Sequence, residues 1–214
     1  MDFCKEAEAL APYLSSLRRE FHMHPEVSRK EFWTAERIEK ELDAIGITDH
    51  RRVDGSGVYA VFHGEKPGDR VVTLRADIDA LPIQEVNDTL SYCSGEPGCM
   101  HACGHDGHAA GLLGGARLLY AHRGKFGGEV RLFFQHAEEI GYGAKQFVKA
   151  SLLEGSGRVF GVHMAPDIPC GRVGVKPGPN YASVDHFAVK IGGQAAPVSP
   201  PHLGGDALSR PRQL

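Results

Sequence analysis

Apolar residues recur along this chain at two different periods, and each period predicts a different kind of element. Between Ser28 and Gly46 the residues Ala35, Ile38, Leu42 and Ile45 return every three or four positions, behind a Ser28/Glu31 capping-box pattern and ahead of a terminal glycine. That spacing predicts one amphipathic helix. An earlier stripe of Leu10, Leu14, Leu17 and Phe21 predicts another, ending near His24 because Pro25 disfavours helical backbone in the residue before it. From Val58 the character changes. Val58 to Phe62 and Arg70 to Arg75 are rich in β-branched residues and flank the turn-like GEKPGD, so both read as strands. Leu112, Leu113, Ala116, Leu119 and Tyr120 form a wide apolar face that predicts a helix over 105–122. A strand over 129–135, a helix from Gly143 to Leu153 closed by Gly155, and a strand over 158–163 follow. This alternation predicts an α/β layer fold with a mostly parallel sheet. Past His163 a Pro/Gly-rich stretch, Ala165 to Pro179, leads into Val184 to Ile191, whose Phe187, Val189 and Ile191 alternate with polar neighbours as in a strand with one wet face. The change of pattern predicts a domain boundary near Tyr181.

Composition removes several classes of function. The 214 residues carry 24 Lys+Arg against 27 Asp+Glu, a formal charge of −3, which excludes a basic nucleic-acid footprint. With 42% hydrophobic and 24% charged residues the chain is expected to be globular, with a substantial core. No apolar run approaches the roughly 18 to 20 residues of a membrane span, and MDFCKEAEAL has acids where a signal peptide has basic and then apolar residues. The expectation is a cytoplasmic protein with no membrane partner. Five cysteines are an odd and sparse set, in keeping with thiols in a reducing compartment. Histidine stands out: of twelve, seven lie between His101 and His186. A residue that both carries protons and binds metals, at this density, points to a metal or acid–base site.

The unusual residues gather where the predicted strands end. Arg70 to Arg75 runs into Ala76, Asp77, Ile78 and Asp79; the 129–135 strand runs into His136, Ala137, Glu138 and Glu139; the last strand ends in His163. In an open α/β sheet the ligand crevice lies outside the carboxyl ends of the strands, so these side chains are expected to converge. The densest stretch is MHACGHDGH, Met100 to His108, opening a helix. In a tight turn containing Gly104, Cys103 and His105 can face one ion. A closed structural zinc site of Cys99, Cys103, His105 and His108 is a rival, although its spacings depart from the usual Cys-x2-4-Cys and His-x3-5-His pattern. A catalytic or redox Cys103 beside His105 is another. Glu138 and Glu139 leave a strand side by side and diverge, so one can hold a metal while the other deprotonates a water. There is no G-x-S-x-G elbow, no phosphate loop and no H-E-x-x-H, and Gly111, Gly114 and Gly115 are expected to permit close helix packing.

RADIDALP (75–82), MHACGHDGHA (100–109), FQHAEE (134–139), GVHM (161–164) and PGPNYA (177–182) together resemble, in order, the motifs of the metallo-amidohydrolases. These include hippurate hydrolase, N-acyl-amino acid amidohydrolases and indole-acetyl-amino acid hydrolases. The resemblance covers nearly all of the chain to Ile191. It implies a three-layer α/β/α zinc-peptidase-like domain with a mostly parallel sheet and an inserted α+β lid. Residues 1–180 would form the catalytic metal-binding domain, and 181–214 the start of the lid and dimerisation domain. By motif, two divalent metal ions (zinc, manganese, cobalt or nickel) would be held by Cys103 as bridging thiolate and by His105, Glu139 and His163. Glu138 would be the general base and Asp77 an outer acid that fixes a histidine ligand. The implied substrate is an N-acyl or N-aroyl amino acid, cleaved to a carboxylic acid and a free amino acid; full-length members would be homodimers. No substrate-binding residue is assigned. The family's last ligand histidine lies further downstream than Leu214, Pro197 stands where a substrate-reaching histidine is usual, and SRPRQL no longer resembles the lid helix. The chain is therefore expected to be an N-terminal fragment, with a catalytically inactive metal-binding remnant as the alternative function.

Overall fold

The structure is a computed structural model that describes residues 3–87, 89–180 and 187–193. Helices α1 (Phe3–Ala9), α2 (Ala11–Met23) and α3 (Phe32–Ile45) precede strands β1 (His50–Val53), β2 (Gly57–His63) and β3 (Lys66–Asp77). Then come α4 (His105–Ala121), β4 (Gly127–Gln135), α5 (Gly143–Lys149) and β5 (Arg158–Gly161). The five strands form one sheet in the order β1-β2-β4-β3-β5. β3 pairs parallel with both β4 and β5, while β2 runs antiparallel to β1 and to β4. Four strands thus point one way and β2 alone is opposed. The carboxyl ends of β3, β4 and β5 lie on one rim, Arg75 beside Phe133 and Gly161 and Asp77 beside Gln135.

Strand periodicity sorts the side chains into two cores, giving three layers. Val58, Ala60 and Phe62 of β2 and Val130, Leu132 and Phe134 of β4 face Leu17 and Phe21 of α2, Ile38 and Leu42 of α3 and Leu113 of α4. The alternate residues Tyr59 and Phe133 face Phe147 of α5 and Leu152 on the other side.

Several boundaries differ from the pattern read in the sequence. Helix α3 starts at Phe32, four residues after Ser28, because the Ser28 hydroxyl donates to Asp79 Oδ2 (2.7 Å) and caps nothing. The carboxylate of Glu26 takes the N–H groups of Trp33 (3.1 Å) and Thr34 (2.9 Å) in its place. Helix α5 closes at Lys149 rather than Leu153, and β5 at Gly161 rather than His163. Of the expected 184–191 strand, residues 187–191 are described and adopt no strand; the earlier part lies outside the described residues. The chain divides into compact units at Asp167/Ile168, ahead of Tyr181, where the Pro/Gly-rich stretch has begun. No helix among the described residues is long and apolar enough to cross a membrane.

Candidate metal centre

The rim formed by β3, β4 and β5 receives α4 at its N-terminus, and the meeting point gathers the polar groups. Gly104 caps α4 in the left-handed conformation (φ 84°), turning the chain between Cys103 and His105. His105 is fully buried. Its Nδ1–H donates to the Asp79 carbonyl (2.8 Å), with Asp79 Oδ1 at 3.2 Å, which leaves the Nε2 lone pair facing inward. Glu139 Oε1 lies 3.8 Å from that Nε2. Both atoms are buried and neither has a hydrogen-bond partner. His163, beyond the end of β5, uses Nδ1–H on the Met164 carbonyl (2.7 Å) and presents Nε2 to Cys103 Sγ at 3.5 Å.

Two groups of donor atoms, each within 4.8 Å of one another, follow from this: Cys103, His105 and Glu139; and Asp77, His105, His108 and His163. All four residues that the motifs assign as ligands, Cys103, His105, Glu139 and His163, stand in these groups. Cys99 stands in neither, so the structural zinc rival loses one of its four donors. Asp77 bonds His108 Nδ1 and Arg75 (2.7 Å), with its Oδ1 3.6 Å from His105 Nε2. The acid that bonds the ring of His105 is Asp79, two residues on. Glu138, half-buried, adjoins Glu139 and lies near enough to raise the pKa of Cys103.

The electrostatics call for positive charge. Burial, then the Glu139 carboxylate, push the Cys103 thiol up to about 12, with Asp77 and Glu138 adding to it. A thiol so placed is protonated at neutral pH, which argues against a free redox or nucleophilic cysteine. Burial raises Glu139 as well, against the pull of His105. Burial also opposes ionisation of Asp77, but the His108 hydrogen bond and the charges of Arg75 and His105 outweigh it and hold that acid at about 2. The donor chemistry fits divalent cations: two imidazole Nε2 atoms with their Nδ1 protons spoken for, a thiol that a cation would deprotonate, and an orphaned carboxylate oxygen.

Likeness to known proteins agrees with the geometry. A family model described as peptidase family M20/M25/M40 matches residues 73–208. The chain belongs to this family. Among its relatives, an N-acetyl-L-cysteine deacetylase of Bacillus subtilis (strain 168) is 44% identical over 205 residues, covering 96% of this chain and 49% of that protein. An N-acyl-L-amino acid amidohydrolase of Geobacillus stearothermophilus is 42% identical over 193 residues, 90% of this chain and 52% of that protein. The crystal structure of the Bacillus subtilis YXEP protein, described as a dinuclear metal binding peptidase from the M20 family, superposes with a TM-score of 0.76 at 43% identity. That match covers 80% of this chain and 48% of the other. The M20 chain described here spans about half the length of the curated relatives it matches.

Two residues here have roles that the sequence reading did not give them, Asp79 unassigned and His108 named only as a donor of the rival zinc site. Asp79 holds His105, and its signal was its place two residues beyond Asp77 at a strand end. His108 takes the Met164 N–H on Nε2 (2.7 Å) and bonds Asp77 through Nδ1, so both ring nitrogens are engaged.

Proposed function

We propose that this chain carries the metal-binding and proton-handling part of an amidohydrolase that cleaves N-acyl amino acids to a carboxylic acid and a free amino acid. The observation that carries this reading is the pair of buried, unpartnered atoms His105 Nε2 and Glu139 Oε1, 3.8 Å apart, with Cys103 and His163 beside them at the rim of the sheet. Cys103, His105, Glu139 and His163 would hold two divalent ions. Divalent cations there supply Lewis acidity, polarising an amide carbonyl and acidifying water. The mixed sulfur, nitrogen and oxygen donors suit zinc, manganese, cobalt or nickel. Glu138 takes the proton from the attacking water, and the water oxygen bonds to the acyl carbon. As the C–N bond breaks, the proton passes from Glu138 to the departing amine nitrogen. Asp77, fixed by Arg75 and His108, holds the end of β3 in place behind the ligands. The relatives' names, which specify N-acetylcysteine and N-acyl amino acids, support the substrate class. The compact unit that ends at Asp167 holds all of these residues and serves as the catalytic part. The five cysteines are free thiols, which suits a cytoplasmic home.

The test is Glu138→Gln, assayed on N-acetyl amino acids and hippurate with metal content measured alongside. Turnover is expected to fall by about 100-fold or more with metal retained. Unchanged turnover with metal bound removes the base assignment. Metal bound by the unmodified chain without turnover of any N-acyl amino acid supports the metal-binding remnant instead.

A further inference from the structure

Glu31 is a carboxylic side chain with no exposed surface, and among the described residues no lysine or arginine pairs with it. Burying such a group is costly unless its oxygens find donors. Both do. Oε2 accepts the Ser56 hydroxyl (2.7 Å), and Oε1 accepts the backbone N–H of Ala137 (2.7 Å), 106 residues along the chain. Ala137 is itself buried and sits at φ 49°, in the left-handed region that a residue with a Cβ rarely occupies. It immediately precedes Glu138 and Glu139. Within that pair, the N–H of Glu139 donates to Asp79 Oδ2 (3.0 Å), an oxygen that also takes the Ser28 hydroxyl. The carbonyl of Ala137 accepts from Tyr142 and Gly143 (3.1 Å each). The backbone that carries the two glutamates is therefore gripped at Ala137 and again at Glu139 by acids from elsewhere in the chain.

We propose that Glu31 is a positioning residue of the metal centre. By bonding the N–H of Ala137 it maintains the left-handed turn that sends Glu139 inward toward His105 and leaves Glu138 free to meet substrate. The carboxyl lies at the start of α3, which packs on the sheet through Ile38 and Leu42, so the grip is anchored in the core. The proposal rests on the metal reading above for the roles of the two glutamates, but the grip on the loop stands apart from it.

The test compares Glu31→Leu with Glu31→Gln in the full chain by hydrogen exchange and by cobalt(II) titration. In E31L, exchange across 136–143 is expected to quicken by about ten-fold or more while β4 and α4 remain protected, because a buried N–H loses its acceptor. Cobalt affinity should fall by about ten-fold or more, as for other residues that orient ligands. E31Q should stay within about two-fold of the unmodified chain on both measures, since its amide oxygen still accepts from Ala137 and its NH2 can donate to Ser56. A merely structural role would not be rescued locally in this way. Should E31L fail to fold, Glu31→Asp keeps the acid and withdraws it by one methylene, and should loosen 136–143 alone. Unmodified exchange in this segment in E31L, or in E31D where that stands in for it, overturns the proposal. If the unmodified chain binds no cobalt, the metal reading fails, and the exchange comparison still decides whether Glu31 holds the loop.

Discussion

His105, His108 and His163 are the same side chain with three different commitments, and the ring nitrogens tell them apart. His105 and His163 each use Nδ1 on a carbonyl; His105 keeps Nε2 open and His163 turns its Nε2 to the Cys103 sulfur (3.5 Å), whereas His108 spends both nitrogens, on Asp77 and on the Met164 N–H. Its ring also packs edge-on against His163, centroids 4.6 Å apart. His108 is thus a clamp that sets the backbone just after His163. Replacing His105 or His163 by alanine should abolish tight zinc binding in equilibrium dialysis, whereas His108→Ala should weaken it about 10- to 100-fold, as loss of an orienting partner does. An H108A chain as deficient as H105A would make His108 a ligand. The sequence showed that histidines cluster with Cys103 ahead of a helix, and the motif resemblance put forward four ligand candidates, each of which stands in one or both donor groups. It could not show which nitrogen was spoken for, because that depends on Asp77, 31 residues away, and Met164, 56 residues away.

At the scale of elements, the interiors of helices and strands were legible and the ends were not. Apolar periodicity is a local property, so α2, α4, β2, β3 and β4 follow from it directly. Ends depend on competition between local and distant partners: Ser28 was free to cap α3 but bonds Asp79 across 51 residues. The short β1 (HRRV) and α1 carry too little pattern to announce themselves. The glycines show the same division. Gly114 does admit a close neighbour, since a Cβ there would meet Leu14 at 2.8 Å, but Gly111 and Gly115 of the same helix face open space. Gly111→Ala is expected to raise stability by about 0.5–1 kcal/mol through the backbone entropy glycine loses in a helix. Gly143, where the glutamate loop enters α5, is the opposite case: a Cβ would fall on the carbonyl oxygen of His136. Gly143→Ala should therefore cost about 2 kcal/mol or more. Urea midpoints of the two variants should move in opposite directions; a neutral G143A would mean that the loop has slack, and that Glu31 has less to hold.

Across the whole molecule, the rim is assembled because four of the five strands run the same way, and helix α4 is tied to α2 and to the segment after β3 by a buried polar group centred on Asp106, the residue after His105. His22 of α2 bonds Asp106 of α4 through Nδ1 (2.7 Å) and Glu85 of the connecting segment through Nε2 (3.3 Å). Glu85 in turn accepts the Ser94 N–H (2.6 Å), and Arg18 of α2 reaches the same Asp106 oxygen at 2.7 Å. The His101 ring lies 6.4 Å from His22, and its burial depresses its pKa to about 4, so it brings no charge at neutral pH. Among these groups the Asp106 hydrogen bond dominates and raises the pKa of His22 above 6.5, with burial and Arg18 opposing. A histidine whose pKa is higher folded than unfolded stabilises the fold while both states are protonated, and that contribution drains away as pH rises through the folded value. The metal-free chain should accordingly lose stability from about pH 6.5 upward over the window set by the raised His22 value. His22→Gln, which keeps a donor toward Asp106 but cannot titrate, should flatten that portion of the curve. Urea midpoints of both chains between pH 6 and 9, with chelator present, measure the difference. Parallel curves would show that the Asp106 to His22 bond contributes no charge-dependent hold on the helix that delivers Cys103 and His105.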